Sequence, residues 1–294
     1  MRLAFGTFMH MPDPEKFGEG MDHVRARWIA DPNAVFAAEV NGKLVGSNFA
    51  TRWGSFGFFG PLTVHPEFWD KGVAKKLLVP TMELFSKWGV SHSALFTFSH
   101  SPKHLGLYQG FGFWPRYLTP VMSKTVQDGN GAGKWSKFSD VPDSEKGQYL
   151  AKCRNLAGSV YMGLDLEREI LAVQDQKLGD SVMQWDGQTL MGFAVCHCGP
   201  GTEAGNDTCY IKFATAGKGP NAGDAFDRLL SACDEYARLC GVTEVLGGVN
   251  TACHDAYRKM IARGFRTDFV GVLMLKPNKP AFDNPDAYVI CDLR

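Results

Sequence analysis

Between Thr63 and Gly89 the chain reads TVHPEFWDKGVAKKLLVPTMELFSKWG, with a lysine, a glycine and a second small residue placed where an amphipathic helix begins. An apolar strand ends at Val64, Pro66 follows, and WDKGVA leads into the helical run. A helix N-terminus presents unpaired N–H groups and a partial positive charge, which together hold a pyrophosphate. Gly72 has no Cβ, so a phosphate can approach the backbone closely. Ala74 keeps the next contact small, and Lys71, Lys75 and Lys76 add positive charge. The competing reading is an ordinary helix start with basic residues on a solvated face. Lysines in a first turn oppose the helix dipole, which favours the anion.

Other candidate chemistry is weaker. Cys196, His197 and Cys198 form CHC, which lacks the CxxC spacing of a zinc site, and alternation along a strand would split His197 from its neighbours. Reduced, buried thiols and no metal are the expectation. All eight cysteines fall at or after Cys153, and a disulfide scaffold does not suit a chain of this length without an export signal.

The totals narrow the class. The 294 residues allow two domains, and 45% hydrophobic residues allow a packed core. Lysine plus arginine (31) equal aspartate plus glutamate (31), which argues against nucleic acid or a membrane surface as the main partner. No apolar run reaches the roughly 18 residues of a membrane span, and no signal-peptide pattern opens the chain. A cytoplasmic protein is expected. MRLAFGTF reads as the end of a first helix with no strand before it, as if translation began upstream in a longer form.

The elements that would position the loop occur twice. Shifted by 152 residues, Leu77-Leu78 meet Leu229-Leu230, Glu83 meets Glu235, Gly89-Val90 meet Gly241-Val242, and Gly112-Phe113 meet Gly264-Phe265. EVNGKLVG (39–46) answers QWDGQTLMG (184–192) at a slightly smaller shift, each a hairpin with an Asn-Gly or Asp-Gly turn. Each copy then reads as a long strand (Gly57–Val64; Thr208–Thr215) and a helix (Lys71–Lys87; Ala222–Leu239). A buried strand (SALFTFS; TEVLGGVN), a shorter helix and two final strands follow. TVQDGNGAGKWSKFSDVPDS has no apolar period and reads as a linker. The division expected is a first domain at 1–127, a linker at 128–145 and a second domain at 146–294.

This order of elements, with WDKGVA and SPKHLGLYQGFGF, resembles the GNAT superfamily of acyl-CoA N-acyltransferases. The family's loop has the form Q/R-x-x-G-x-G/A; here Gly72 and Ala74 match, and Trp69 departs from Gln/Arg. Leu107, Tyr108, Gly112 and Phe113 match the downstream pattern N-x-x-A-x-x-L-Y-x-x-x-G-F, with Ser101 for Asn and His104 for Ala. The resemblance implies an α/β fold of two tandem domains, each a mostly antiparallel mixed sheet flanked by helices. It also implies an acetyl-CoA-dependent N-acetyltransferase acting by direct attack on the thioester. Acetyl-CoA would meet Leu62, Thr63 and Val64, then Trp69, Asp70, Lys71, Gly72, Val73, Ala74 and Lys75, then Ser101, Lys103 and Tyr108. The pantetheine arm would lie between the strands ending near Val64 and Ser99. Val64 matches the position whose N–H polarises the thioester carbonyl. Tyr108 matches the residue that gives a proton to the departing thiolate; the alternative is a core tyrosine.

The base is not legible: Glu39, His65 and His100 are the nearby titratable groups, His100 being the one at the strand end, and a water relay needs none of them. Trp53, Phe56, Phe58, Phe59, Trp114 and Tyr117 flank the acceptor side and read either as core or as the wall of an apolar amine site. The acceptor class is a small-molecule or peptide amine, and the assembly a monomer or homodimer. In the second copy Asp224 stands opposite Gly72, Phe226 opposite Ala74 and Met260 opposite Tyr108, so that copy reads as degenerate. The rival from another class is a binding or interaction module that keeps the fold without turnover.

Overall fold

The computed structural model describes residues 1–127 and 131–294. Two short helices, α1 (Arg2–Phe8) and α2 (Val24–Ala30), open the chain, and no strand precedes α1 among the described residues. The turn at Asn41-Gly42 closes a hairpin between β1 (Val35–Val40) and β2 (Lys43–Trp53). Both turn residues take positive φ, 51° and 75°, as a two-residue hairpin turn demands. Next come β3 (Phe56–Phe59), β4 (Thr63–Val64), α3 (Val73–Trp88), β5 (His92–Phe98), α4 (Pro102–Gln109) and β6 (Trp114–Thr125).

The second half opens with β7 (Lys134–Lys137), α5 (Asp143–Val160) and α6 (Glu167–Asp175). The second hairpin, β8 (Gly179–Asp186) and β9 (Thr189–Cys198), leads to β10 (Thr208–Ala216), α7 (Ala222–Leu239) and β11 (Glu244–Gly248). α8 (His254–Ala262), β12 (Arg266–Lys276) and β13 (Val289–Ile290) complete the order. α3 buries Val73, Leu77, Leu78 and Phe85, and α7 buries Phe226, Leu229, Leu230, Cys233 and Ala237. Those i, i+3/i+4 stripes seat both helices on the sheet, each large apolar side chain contributing about 1.5–3 kcal/mol.

All these strands join one mostly antiparallel mixed sheet, in the order β1-β2-β3-β5-β12-β6-β11-β10-β9-β8-β7, with β4 on β2 and β13 on β10. Each half contains one parallel pair bridged by its long helix. Phe56 faces His92 in β3/β5, and Thr208 faces Glu244 in β10/β11. Both partners are displaced by 152 residues (208 − 56 and 244 − 92), the offset of the sequence repeat. This is the architecture of two tandem α/β units.

The closing strands are exchanged. β12, from the second half, pairs antiparallel with β5 (Leu273 opposite Phe96), and β6, from the first half, pairs with β11 (Val121 opposite Gly248). β6 and β12 also pair with each other at the centre of the sheet.

Two local expectations are modified. The strand expected over 57–64 breaks after Phe59, because Gly60 takes φ +150°, open to glycine alone, and Pro61 has no N–H to donate. The expected linker is partly structured. Lys134–Lys137 pair with β8 and α5 starts at Asp143, while Asp128, Gly129 and Asn130 lie outside the described residues.

Candidate active site

The break at Gly60 builds the cleft. β3 stays parallel to β5 only as far as Phe58 opposite Ala94; beyond it the chain swings toward β2, where Thr63 faces Ser47 and Val64 faces Gly46. Gly60 N–H donates to the Phe49 carbonyl (2.8 Å) and His65 N–H to the Val45 carbonyl (2.8 Å). That pattern makes Val64 and Gly46 a non-hydrogen-bonded pair, so the N–H and C=O of Val64 point away from β2 toward the splay. The Val64 carbonyl accepts the Trp69 indole N–H at 2.8 Å. The Val64 N–H is thus the donor that faces the gap between β4 and β5.

The loop ahead of α3 is held from three sides. Trp69 ties it to Val64, Lys103 on α4 pairs with Asp70 at 2.6 Å and lies over the Trp69 ring, and Lys71 lies over Phe68. Gly72 is the N-cap, with φ 76° and ψ 8°, and no side chain caps the helix. Lys76 N–H makes the first turn's bond to the Gly72 carbonyl, leaving the N–H groups of Val73, Ala74 and Lys75 directed outward. A Cβ built on Gly72 meets nothing within 4 Å. The first turn contains no acid. These features fit a pyrophosphate. The side chains of Thr63 and Val73 are buried, so those residues can offer backbone only; Ser101 caps α4, its hydroxyl accepting the His104 N–H at 3.3 Å.

Leu62 and Tyr108 share a hydrophobic cluster with Phe59, whose ring lies 5.7 Å from that of Tyr108. Burial pushes the Tyr108 phenol well above its ordinary value, so it keeps its proton through the neutral range. His100 is exposed, between Phe8 and Phe98, and His104 is lowered by burial and then by Lys103 and His100. His65 accepts the Glu67 N–H through Nδ1 (3.4 Å). Glu39 is exposed on the edge strand β1, opposite Leu44, with β2 between it and the cleft. Of the aromatics, Trp53, Phe56, Phe58 and Phe59 are buried in the core, whereas Trp114 and Tyr117 are exposed.

The matching splay in the second half is filled by the chain itself. β13 pairs with β10 (Val289 opposite Thr215), and Cys291 N–H donates to the Gly248 carbonyl at the end of β11 (2.8 Å). Tyr288 lies against Gly223 and the Phe226 ring at the α7 N-terminus, and Lys259 pairs with Asp227 there. Asp224 sits in the first turn and Met260 is buried. The sequence reading missed this plug; AYVICDL, a short apolar run after a proline-rich turn, was its only trace. It also missed the anchoring of Trp69, which has no signal beyond the departure from Gln/Arg. Cys196, His197 and Cys198 lie on β9, where His197 Nδ1 accepts the Glu203 N–H (3.3 Å). Among the described residues no group of three or more His, Cys, Asp or Glu is placed to hold a metal.

Residues 5–113 match the model of the acetyltransferase (GNAT) family. No curated protein sequence matches the chain. The fold is similar to that of the "Putative Acetyltransferase" of Pyrococcus horikoshii (15% identity, TM-score 0.67, 96% of this chain and 86% of that one). It is also similar to a GCN5-related N-acetyltransferase from Sphaerobacter thermophilus (16%, 0.56, 95% and 91%). A tandem GNAT protein from the clavulanic acid biosynthesis pathway is a third match (14%, 0.56, 95% and 96%). No helix is long and apolar enough to cross a membrane among the described residues.

Proposed function

We propose that this chain, residues 5–113 of which match the GNAT family model, is an acetyl-CoA-dependent N-acetyltransferase with one working cleft, in a first domain of residues 1–127. The observation that carries the reading is the uncapped α3 N-terminus at Gly72 beside a splay into which the Val64 N–H points. Acetyl-CoA brings the activated acyl group as a thioester. The α3 N–H groups with Lys75 and Lys76 grip its pyrophosphate. The Val64 N–H donates to the acyl oxygen as negative charge builds on it, an effect worth about 10²–10³ in rate. Tyr108 supplies a proton to the departing sulfur, worth roughly 10²–10⁴. The acceptor is an amine of a small molecule or peptide, and residues 146–294 form a second, degenerate domain joined through 128–145. A thiol-release assay with a panel of amines tests the reading. Acceptor-dependent release supports it, whereas acetyl-CoA binding without release on any amine would make the chain a non-catalytic binding module.

A further inference from the structure

A buried ionic network joins the second half to the point where the first cleft opens. Arg27, near the end of α2, is 6% exposed, and Glu203, in the β9–β10 connection, is 0% exposed. The two pair through both guanidinium edges, Nε to Oε1 at 2.8 Å and Nη2 to Oε2 at 3.0 Å. Lys212 on β10 approaches Glu203 at 3.1 Å and Glu169 on α6 at 2.7 Å, and Glu169 accepts the Trp53 indole N–H at 3.1 Å. The free guanidinium nitrogen, Nη1, donates to the carbonyl of Gly60, the residue at which β3 leaves β5. Nη2 also reaches the Arg294 carbonyl, at the end of the segment that plugs the second splay.

A charge held this deeply is retained only where its partners are complete, and an arginine fork fixes direction as well as distance. We propose that Arg27 is a positioning residue: it clamps the Gly60 carbonyl, Glu203 of the second half holds its guanidinium, and the second half thereby sets the geometry of the first half's cleft. The inference rests on the reading above for its catalytic consequence, though not for the clamp itself. The kink decides where the Val64 N–H points, whereas the α3 N-terminus grips the far end of the cofactor. Loss of the clamp should therefore lower turnover and leave cofactor affinity alone.

Two variants test it. Arg27→Lys keeps the charge but cannot span Glu203 and Gly60 together. The double variant Arg27→Met with Glu203→Gln removes one charge of each sign and leaves Lys212 with Glu169. Hydrogen exchange of the free protein should show faster exchange in both variants at Gly60 and His65, whose N–H groups donate to the Phe49 and Val45 carbonyls on either side of the kink. Calorimetry should give acetyl-CoA affinity within about threefold of the parent, while kcat falls roughly ten- to a hundredfold, the scale of a misplacement near 1 Å. Unchanged exchange at Gly60 and His65 in a folded variant overturns the clamp, whatever the activity. Faster exchange with unchanged kcat overturns its catalytic consequence. A parent that binds no acetyl-CoA refutes the proposed function instead, and the exchange result still decides the clamp.

Discussion

Replacing Gly72 separates backbone strain from charge at the cofactor site. Its φ of 76° lies in the left-handed region, and a Cβ there meets nothing within 4 Å. Gly72→Ala therefore carries only the conformational cost, about 1–2 kcal/mol, with no clash. Gly72→Glu carries the same cost and adds a carboxylate where a pyrophosphate is gripped. One like-charge pair near 4 Å at an effective dielectric of 20 opposes binding by about 4 kcal/mol, or roughly 10³-fold in Kd. Gly72→Lys has the strain with the opposite charge. We predict by calorimetry that acetyl-CoA binds the Ala and Lys variants within about tenfold of the parent and the Glu variant roughly 10³-fold more weakly. The gap between Glu and Ala should narrow in high salt. If the Glu and Ala variants bind equally, the α3 N-terminus is not the pyrophosphate site.

Tyr108→Phe should leave acetyl-CoA affinity within a few-fold and lower kcat by roughly 10²; parent-like turnover across the pH range would show that Tyr108 is only core. Calorimetry should find one acetyl-CoA per chain, lost with Gly72→Glu and kept with Asp224→Asn. Two equivalent sites, or one that responds to Asp224, would refute a single working cleft. His197 sets a pH dependence of stability: burial first, then Lys212 and Arg27, depress it to about 4, with Glu203 and Glu169 opposing. Its proton is bound by the unfolded chain below about 6.5 and by the folded chain only near 4, so stability is full above 6.5 and falls as pH drops between those values. At pH 5 the loss from this group is on the order of 2 kcal/mol. Urea unfolding at pH 7 and 5 should show that loss, and a folded His197→Gln variant should reduce it; an equal loss in both would assign it elsewhere.

The parts legible in the sequence were those written in local chemistry. Asn41-Gly42 and Asp186-Gly187 marked the hairpins, although the second turns one residue later, at Gly187-Gln188, because Asp186 still pairs with Thr189; the 152-residue offset of Leu77-Leu78 and Leu229-Leu230 marked the repeat, and Gly72 marked the loop. What stayed hidden depends on partners far along the chain. β6 and β12 carry equivalent apolar patterns, so either could lie beside β5, and only the packed sheet chooses β12. Arg27 and Glu203 are 176 residues apart, and neither has a neighbour in sequence that announces the pair. Lys134–Lys137 look polar because one short edge strand needs little apolar surface.

The exchange of β6 and β12 has a further consequence. Each half's closing strand is lodged between strands of the other, so the arrangement is that of a two-fold, strand-swapped dimer whose protomers have been joined into one polypeptide. A nick between residues 131 and 142 would leave two fragments that remain interlocked rather than two autonomous proteins, and heat would unfold both together. Two identical subunits must carry identical clefts. Fusion lifts that constraint, and one copy is then free to fill its own cleft with chain while the other keeps its cleft for a ligand.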